Sequence, residues 1–237
     1  MKNRVLIMTG ASSINRPPEE TDNTIEEVLD ATLPSKQRYA KKYGYDLLSI
    51  RSFGSDKNNK FKDTEIGFMR ALRAFEMLEY YDTVMWLDAD AIITNDNYAI
   101  EDFQLNENFV FYASYDWVGK YTFSTGNFII RKTDKTQNLF NRFLDVSLYS
   151  LNDIMQEQGT LNQIYRESNE SREFFNILPH KFLGGVPNVV HDTATWRNDH
   201  RGALADPWTP DCFLAHLTGM TPEERVDILA NNKLNLK

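Results

Sequence analysis

Residues 83 to 94 read Thr-Val-Met-Trp-Leu-Asp-Ala-Asp-Ala-Ile-Ile-Thr, an apolar run of strand formers that ends on two carboxylates, Asp88 and Asp90. Side chains at i and i+2 of a strand point the same way, so an Asp-x-Asp at a strand end can aim both acids at one point. Oxygen ligands of this kind suit Mg²⁺ or Mn²⁺, and Mg²⁺ fills its remaining positions with water and phosphate oxygens. On its own, such a pair is more often a solvated turn. Here Val84 to Leu87 precede it and Ala91, Ile92 and Ile93 follow it, all apolar. Acids set between core residues lose hydration unless they are paired or bind a metal. The expected role is to hold a phosphorylated substrate through a cation.

The net charge of -8 argues against a nucleic-acid or anionic-membrane surface, because phosphate binding wants a basic stripe and none is present. An anionic ligand therefore needs a cation or local Lys and Arg. With 237 residues, 41% of them hydrophobic and 25% charged, the chain matches one large globular domain or one domain with a small appendage. Cys212 is the single cysteine, so no disulfide framework is expected and a reducing compartment fits. No stretch approaches the roughly 18 apolar residues of a membrane span, and no signal peptide opens the chain. The expectation is a cytoplasmic protein without an integral membrane span.

Along the chain, Arg4 to Met8 reads as a strand followed by the small-residue loop Thr9-Gly10-Ala11-Ser12-Ser13. From Thr24 to Tyr43 the apolar spacing is helical, Pro34 is expected to break or restart the helix, and Gly44 to stop it. Tyr45 to Ile50 reads as the next strand. Residues 52 to 63 read as an exposed polar loop, and Ile66 to Leu78 as a helix leading into the Asp-x-Asp strand. Strands are expected at Phe109 to Ala113 and Asn127 to Arg131, and helices at Gln137 to Tyr149 and Asp153 to Glu167. Alternating strands and helices imply an α/β fold with an open sheet whose ligands sit at the carboxyl ends of its strands. The long segment 184 to 212 has the length of a binding loop or lid. Its Trp196, Arg197, Asn198, Asp199, His200 and Trp208 offer flat faces and hydrogen-bonding groups suited to a sugar-like acceptor.

Two motif readings compete. Thr9 to Ser13 imitates a short-chain dehydrogenase turn, but Ile14, Asn15, Arg16, Pro17 and Pro18 replace the further glycines that pyrophosphate needs, and Tyr39 is followed by Tyr43, not by the required Lys. A haloacid-dehalogenase-like, metal-dependent phosphatase also ends a strand in Asp-x-Asp. For that reading the motif lies late, Ile92 stands where Thr or Val is expected, and the remaining elements are not found; it stays open as the alternative.

A set of short motifs occurs in one order: Gln37 to Leu48, Trp86-Leu87-Asp88-Ala89-Asp90-Ala91, Ser124 to Arg131, Glu157-Gln158-Gly159-Thr160-Leu161, Ile177-Leu178-Pro179, and Phe213 to Gly219. Together they resemble the nucleotide-sugar-dependent glycosyltransferases that include Golgi galactosyltransferases, mannosyltransferase subunits and xyloglucan xylosyltransferases, over roughly residues 4 to 225. The resemblance implies a GT-A, Rossmann-like fold with a mostly parallel central sheet flanked by helices. It implies one domain over 1–237, with a nucleotide-sugar-binding half to about residue 115 and an acceptor-side half from about 116.

By the same resemblance, Asp88, Asp90 and the distant His216 would hold Mn²⁺ or Mg²⁺; an imidazole in the set favours Mn²⁺. Donor contacts would come from Thr9, Gly10, Arg70, Asp88, Ala89, Asp90, Gly126, Asn127, Gly219 and Arg225. Gly126 and Asn127 would form a small-residue turn before a strand, beside the donor sugar. Glu157 and Gln158 would be the catalytic acid and amide near the anomeric carbon, unless they are only exposed polar positions on a helix. The partners would be a UDP- or GDP-sugar donor and a glycan or other hydroxyl acceptor, with retention at the anomeric centre. Thr221-Pro222-Glu223-Glu224 reads as a capping box opening a helix, with Arg225 in its first turns.

Three departures stand against the family pattern: no N-terminal anchor, a tryptophan-rich approach reduced to Trp86, and no later cysteines. A glycogenin-like affiliation is weakened because Met220, Thr221 and Pro222 follow Gly219 in place of Lys-Pro. A catalytically silent sugar-binding module is the third class, and the presence of all three metal-ligand candidates counts against it.

Overall fold

The fold was analysed in a computed structural model that describes residues 3–11, 24–51, 66–103, 105–116, 121–147, 156–187 and 208–231. The chain opens with β1 (Val5–Gly10), α1 (Thr24–Tyr43), β2 (Asp46–Ile50), α2 (Ile66–Met77), β3 (Thr83–Asp88) and the short β4 (Ala91–Ile93). After a 3-10 turn at Ile100–Phe103 come β5 (Phe111–Tyr115), β6 (Phe123–Arg131), α3 (Thr136–Ser147), α4 (Gln156–Glu167) and α5 (Asn169–Arg172). The described chain closes with β7 (Phe175–Leu178), α6 (His180–Leu183), β8 (Leu214–His216) and α7 (Pro222–Ala230).

The main sheet has six strands in the order β2-β1-β3-β6-β5-β7, and β4 pairs with β8 in a separate two-stranded sheet. Only β6 runs against its neighbours in the main sheet. This is the mostly parallel α/β sheet flanked by helices expected above. The central strands β1 and β3 are buried on both faces, which is why they read as continuous apolar runs with little alternation, whereas the edge strand β2 is only partly covered.

Alternate residues of β1 and β3 feed two cores. Leu6, Met8, Val84 and Trp86 pack with Phe68, Leu72 and Phe75 of α2, Phe143 of α3 and Leu161 of α4. Val5, Ile7, Met85 and Leu87 pack on the opposite face with Tyr39 of α1, Ile93 of β4, Phe103, Phe182 and Phe213. The β4–β8 sheet thus forms part of the cover over one face of the main sheet, which fixes where the chain after Asp90 and the chain before His216 must lie.

Expectation and structure differ at two places that matter. Helix α1 runs unbroken through Pro34. Pro34 and Asp30, whose carbonyl loses its helical donor, both lie on the exposed face, where water can satisfy that carbonyl. Gly126 and Asn127 lie inside β6, not in a turn before it. Helix α4 begins at Gln156, and the expected start at Asp153 lies outside the described residues, as do the loop 52–63 and residues 188–207 with Trp196. Gly44 does end α1: its φ is 71°, and Tyr45 N–H donates to Ala40 O at 2.9 Å, closing the left-handed terminus.

The core that carries β3 is aromatic. Phe128, opposite Trp86 in the β3–β6 register, stacks with ring centroids 6.4 Å from Trp86 and 5.1 Å from Phe111, and is fully buried. Phe128→Ala is expected to lower unfolding stability by about 3–5 kcal/mol. Urea denaturation with an unchanged m-value would measure it, and a loss under about 1 kcal/mol would contradict this packing.

Candidate functional site

Strand β3 delivers Asp88 to the carboxyl edge of the main sheet, level with Gly10 of β1, and the chain then turns through Ala89 and Asp90 into β4. The register of β4 against β8 sets Ala91 opposite His216. That pairing brings a residue more than a hundred positions away beside Asp90. His216 Nε2 lies 3.2 Å from Asp90 Oδ1 and 3.8 Å from Asp88 Oδ2, and one ligand atom from each of the three residues falls within 4.8 Å of the others.

Asp88 is held so that one oxygen is engaged and the other faces the group. Its Oδ1 accepts from Trp86 Nε1 at 2.8 Å and from Arg70 Nη1 at 2.5 Å, while Oδ2 is turned toward His216. Its backbone N–H donates to Asn127 Oδ1 at 3.2 Å. Asn127 Nδ2 in turn donates to Leu183 O at 3.2 Å, so both ends of this amide tie β3 to β6 and α6. Gly126 is spatially required. A Cβ there would stand 2.5 Å from His216 Cε1 and 3.0 Å from Asp88 Oδ2.

Asp90 is 6% exposed. Burial alone would push its carboxyl up, but the adjacent His216 imidazole and then the Arg225 guanidinium hold it well below the usual carboxylate range. Arg225 Nη2 lies 3.2 Å from Asp90 Oδ2, and its Nε donates to Leu217 O at 3.0 Å. Arg225 is therefore a site cation with a side chain only 16% exposed, not a solvated surface residue. The helix that carries it opens with the expected capping box: Glu224 N–H donates to Thr221 Oγ1 at 3.3 Å, and Thr221 N–H donates to Glu224 Oε2 at 2.8 Å.

Arg70 joins Asp88 to Glu157. Its Nε donates to Glu157 Oε1 at 2.9 Å, Nη2 makes a second bond to the same oxygen, and Thr125 Oγ1 donates there as well at 2.7 Å. Burial would lower the Arg70 pKa, but Asp88 and Glu157 raise it overall, so the guanidinium stays charged. Gln158 Oε1 accepts from Thr125 N–H at 3.0 Å. Glu157 and Gln158 are 1% and 6% exposed, which overturns their reading as exposed polar positions on a helix. Buried acids and amides need partners, and each has them.

Thr9 and Gly10 end β1 beside Asp88, and the buried Thr9 hydroxyl has no hydrogen-bond partner among the described residues. Gly219 takes φ 75° in the turn between β8 and α7, a conformation that favours glycine. Ala89 is buried under α1, its carbonyl accepting from Thr32 Oγ1 at 2.6 Å. Of the acceptor-loop candidates, Trp208 is described and packs inward: its indole donates to Thr94 Oγ1 at 3.2 Å and its backbone N–H to Val186 O at 2.9 Å.

Two residues escaped the sequence reading. Gly67 lies where a Cβ would fall 1.9 Å from Glu157 Oε2, so α2 and α4 can approach only over a glycine. A glycine inside an apolar helical pattern was the available signal. Lys36 is fully buried beneath the Asp-x-Asp turn, with its ammonium 2.9 Å from Thr32 Oγ1 and 3.5 Å from Ala89 O. It continues the i, i+4 stripe Val28, Thr32, Lys36, Ala40, and a lysine on a buried stripe was its signal.

A divalent cation fits this donor set. Two carboxylates and an imidazole converge on one point, the second oxygen of Asp88 is already engaged by Trp86 and Arg70, and Gly126 leaves the approach open. The order of elements around this point decides the fold. The chain has a GT-A glycosyltransferase fold. Residues 1–110 match the galactosyl transferase GMA12/MNN10 family, covering the chain through β4 and the 3-10 turn. The later motifs, with Glu157, Gln158 and His216, lie beyond that match.

Solved structures are similar over nearly the whole chain. A glycosyltransferase involved in glycosylating the major capsid of PBCV-1 superposes with a TM-score of 0.64 at 17% identity, covering 96% of this chain and 99% of that one. The galactosyltransferase LgtC, in complex with donor and acceptor sugar analogs, gives 0.54 at 12% identity, with 95% of each chain covered. Mouse xyloside xylosyltransferase 1 gives 0.54 at 11% identity, covering 90% of this chain and 97% of that one. Comparison with curated protein sequences gives no match. Among the described residues, no helix is long and apolar enough to cross a membrane.

The depressed Asp90 pKa has a stability signature. A carboxyl whose folded value lies below its unfolded one contributes stability that is fully present above about pH 4 and is lost as pH falls toward the folded value. In metal-free protein, the Tm advantage of wild type over Asp90→Asn should therefore narrow as pH is lowered below about 4. An advantage that stays constant from pH 6 to pH 3 would contradict the pairing of Asp90 with His216 and Arg225.

Proposed function

We propose that the chain is a divalent-metal-dependent glycosyltransferase that moves a sugar from a UDP- or GDP-sugar to a hydroxyl of a glycan or other acceptor. The observation that carries this reading is the convergence of Asp88, Asp90 and His216 at the carboxyl edge of the sheet, with Arg70 and Arg225 beside them. Mn²⁺ suits two carboxylates and an imidazole; Mg²⁺ is the second candidate. The GT-A fold and the family match over residues 1–110 support the same class.

When bound, a divalent cation on Asp88, Asp90 and His216 would supply Lewis-acid stabilisation of the departing diphosphate. The chain's own groups have separate tasks. Arg225, poised on Asp90, can turn the donors that no described residue engages to diphosphate oxygens. Arg70 fixes Asp88 in one rotamer and is itself fixed by Glu157 and Thr125. Glu157 therefore acts as a positioning residue through Arg70, since one of its oxygens already accepts from Arg70 and Thr125. With its carboxylate so engaged, the reading favours front-face attack by the acceptor hydroxyl and retention, with the Gln158 amide beside the reacting sugar. Thr9, Gly10, Ala89, Gly126, Asn127 and Gly219 line the donor side, and the halves 1–115 and 116–237 serve donor and acceptor respectively. The segment that contains Trp196 stays a candidate acceptor loop.

Donor binding should depend on the metal. UDP or GDP with Mn²⁺, at about 100 times Kd, is expected to stabilise the protein by roughly 2.7 kcal/mol. In EDTA the shift should vanish, and an equal shift without metal would sink the metal-dependent reading. With a competent donor and acceptor the products should be nucleoside diphosphate and glycosylated acceptor. Release of inorganic phosphate from simple monoesters would instead favour the dehalogenase-like phosphatase.

A further inference from the structure

We propose that Lys36, acting with Thr32, is a positioning residue for the metal-binding pair, holding the Ala89 carbonyl between Asp88 and Asp90 from beneath the turn. The proposal rests on the reading of Asp88, Asp90 and His216 as a metal centre.

Lysine is almost never fully buried without a partner. Lys36 has no solvent exposure, and among the described residues its ammonium meets only a threonine hydroxyl at 2.9 Å and a carbonyl at 3.5 Å as hydrogen-bond acceptors. The same hydroxyl donates to that carbonyl at 2.6 Å, so Ala89 O is held by Thr32 Oγ1, which the Lys36 ammonium orients at 2.9 Å while itself standing 3.5 Å from the carbonyl. Ala89 is the residue between the two acids. Its carbonyl lies in the Ala89–Asp90 peptide plane, so holding it fixes the direction in which Asp90 leaves the backbone, while Asp88 is held from its other side through its N–H on Asn127 Oδ1. Helix α1 also holds the chain just beyond: Ile93 N–H donates to Ser35 Oγ at 3.1 Å.

The other cations of the site do a different job. Arg70 and Arg225 touch the carboxylates themselves, and their side chains keep 17% and 16% exposure. Lys36 approaches from the protein interior and engages Thr32 Oγ1 and the Ala89 carbonyl, so it takes no carboxylate oxygen away from a metal. Burial lowers its pKa to about 7 against the opposing pull of Asp90 and Asp88. An apolar side chain of similar length would avoid that desolvation, because replacing buried charge by packed hydrocarbon is often neutral or stabilising. Overall stability is thus a poor reason for a lysine here. Control of the turn is a sufficient one.

The decisive experiment measures Mn²⁺ affinity by the loss of the free-ion EPR signal, beside Tm, for wild type, Lys36→Met and Thr32→Val. A positioning role predicts Mn²⁺ binding weakened about tenfold or more in Lys36→Met, as for other groups that orient metal ligands, with Tm unchanged or raised. Thr32→Val should weaken binding in the same direction, since it keeps the charge but removes the bridging hydroxyl. Wild-type Mn²⁺ affinity in both folded variants would overturn the proposal, as would a fall in Tm with affinity intact. Should Lys36→Met fail to fold, Thr32→Val decides alone by the same criterion. A wild type that binds no Mn²⁺ removes the metal centre and this proposal with it, whereas a binding wild type with unchanged variants removes only the proposal.

Discussion

Acids at the end of a doubly covered strand need compensating charge, and most of the site follows from how this chain supplies it. Asp88, Asp90 and Glu157 are set among Arg70, Arg225 and Lys36, with His216 between the first two. Each cation comes from a different helix: α1 brings Lys36, α2 brings Arg70 and α7 brings Arg225. Helices α1 and α2 are in turn fixed by the two cores on either face of the sheet, and α7 by a smaller cluster in which Ile228 packs with Val186, Ala215, Leu217 and Met220. Packing energy that has nothing to do with chemistry therefore determines where the charges sit. A lone buried carboxylate would neutralise; in this cluster Asp90 is held ionised.

The compensation is also asymmetric in a way that suits ligand exchange. Arg225 and His216 contact Asp90 through side-chain tips, and Arg225 carries donors beyond those its contacts use. The elements that must not move are anchored through backbone instead. Leu217 N–H donates to Asp90 O at 3.1 Å, His216 N–H to Gly185 O at 2.7 Å, and Asn127 spans from Asp88 to Leu183. A rigid frame with exchangeable cations at its mouth is what a site needs if it is to admit a charged donor without rebuilding its ligands.

Much of this was legible in the sequence wherever the signal was local. The Asp-x-Asp strand, the Gly44 stop and the capping box at Thr221 each rest on neighbouring residues, and each stands where it was read. What local reading missed was set by distant partners. Pro34 passes within α1 because its missing donor falls on the wet face, which periodicity alone does not weigh. Gly126 looked like a turn residue, but its small size serves the approach of His216, which β8 supplies from far along the chain. Glu157 and Gln158 looked equally at home on a solvated helix face until α2, with Gly67, closed over them. The distant histidine was found through family resemblance and motif order; no local pattern pairs β4 with β8.

The central claim is that Asp88, Asp90 and His216 form one metal centre assembled by the β4–β8 pairing. Anomalous scattering at the manganese edge, from crystals grown with Mn²⁺ and UDP, tests it most directly. A single peak within bonding distance of Asp88 Oδ2, an Asp90 oxygen and His216 Nε2 is the expected result. A peak that lacks His216, or one bound only through exposed acids elsewhere, would contradict the claim.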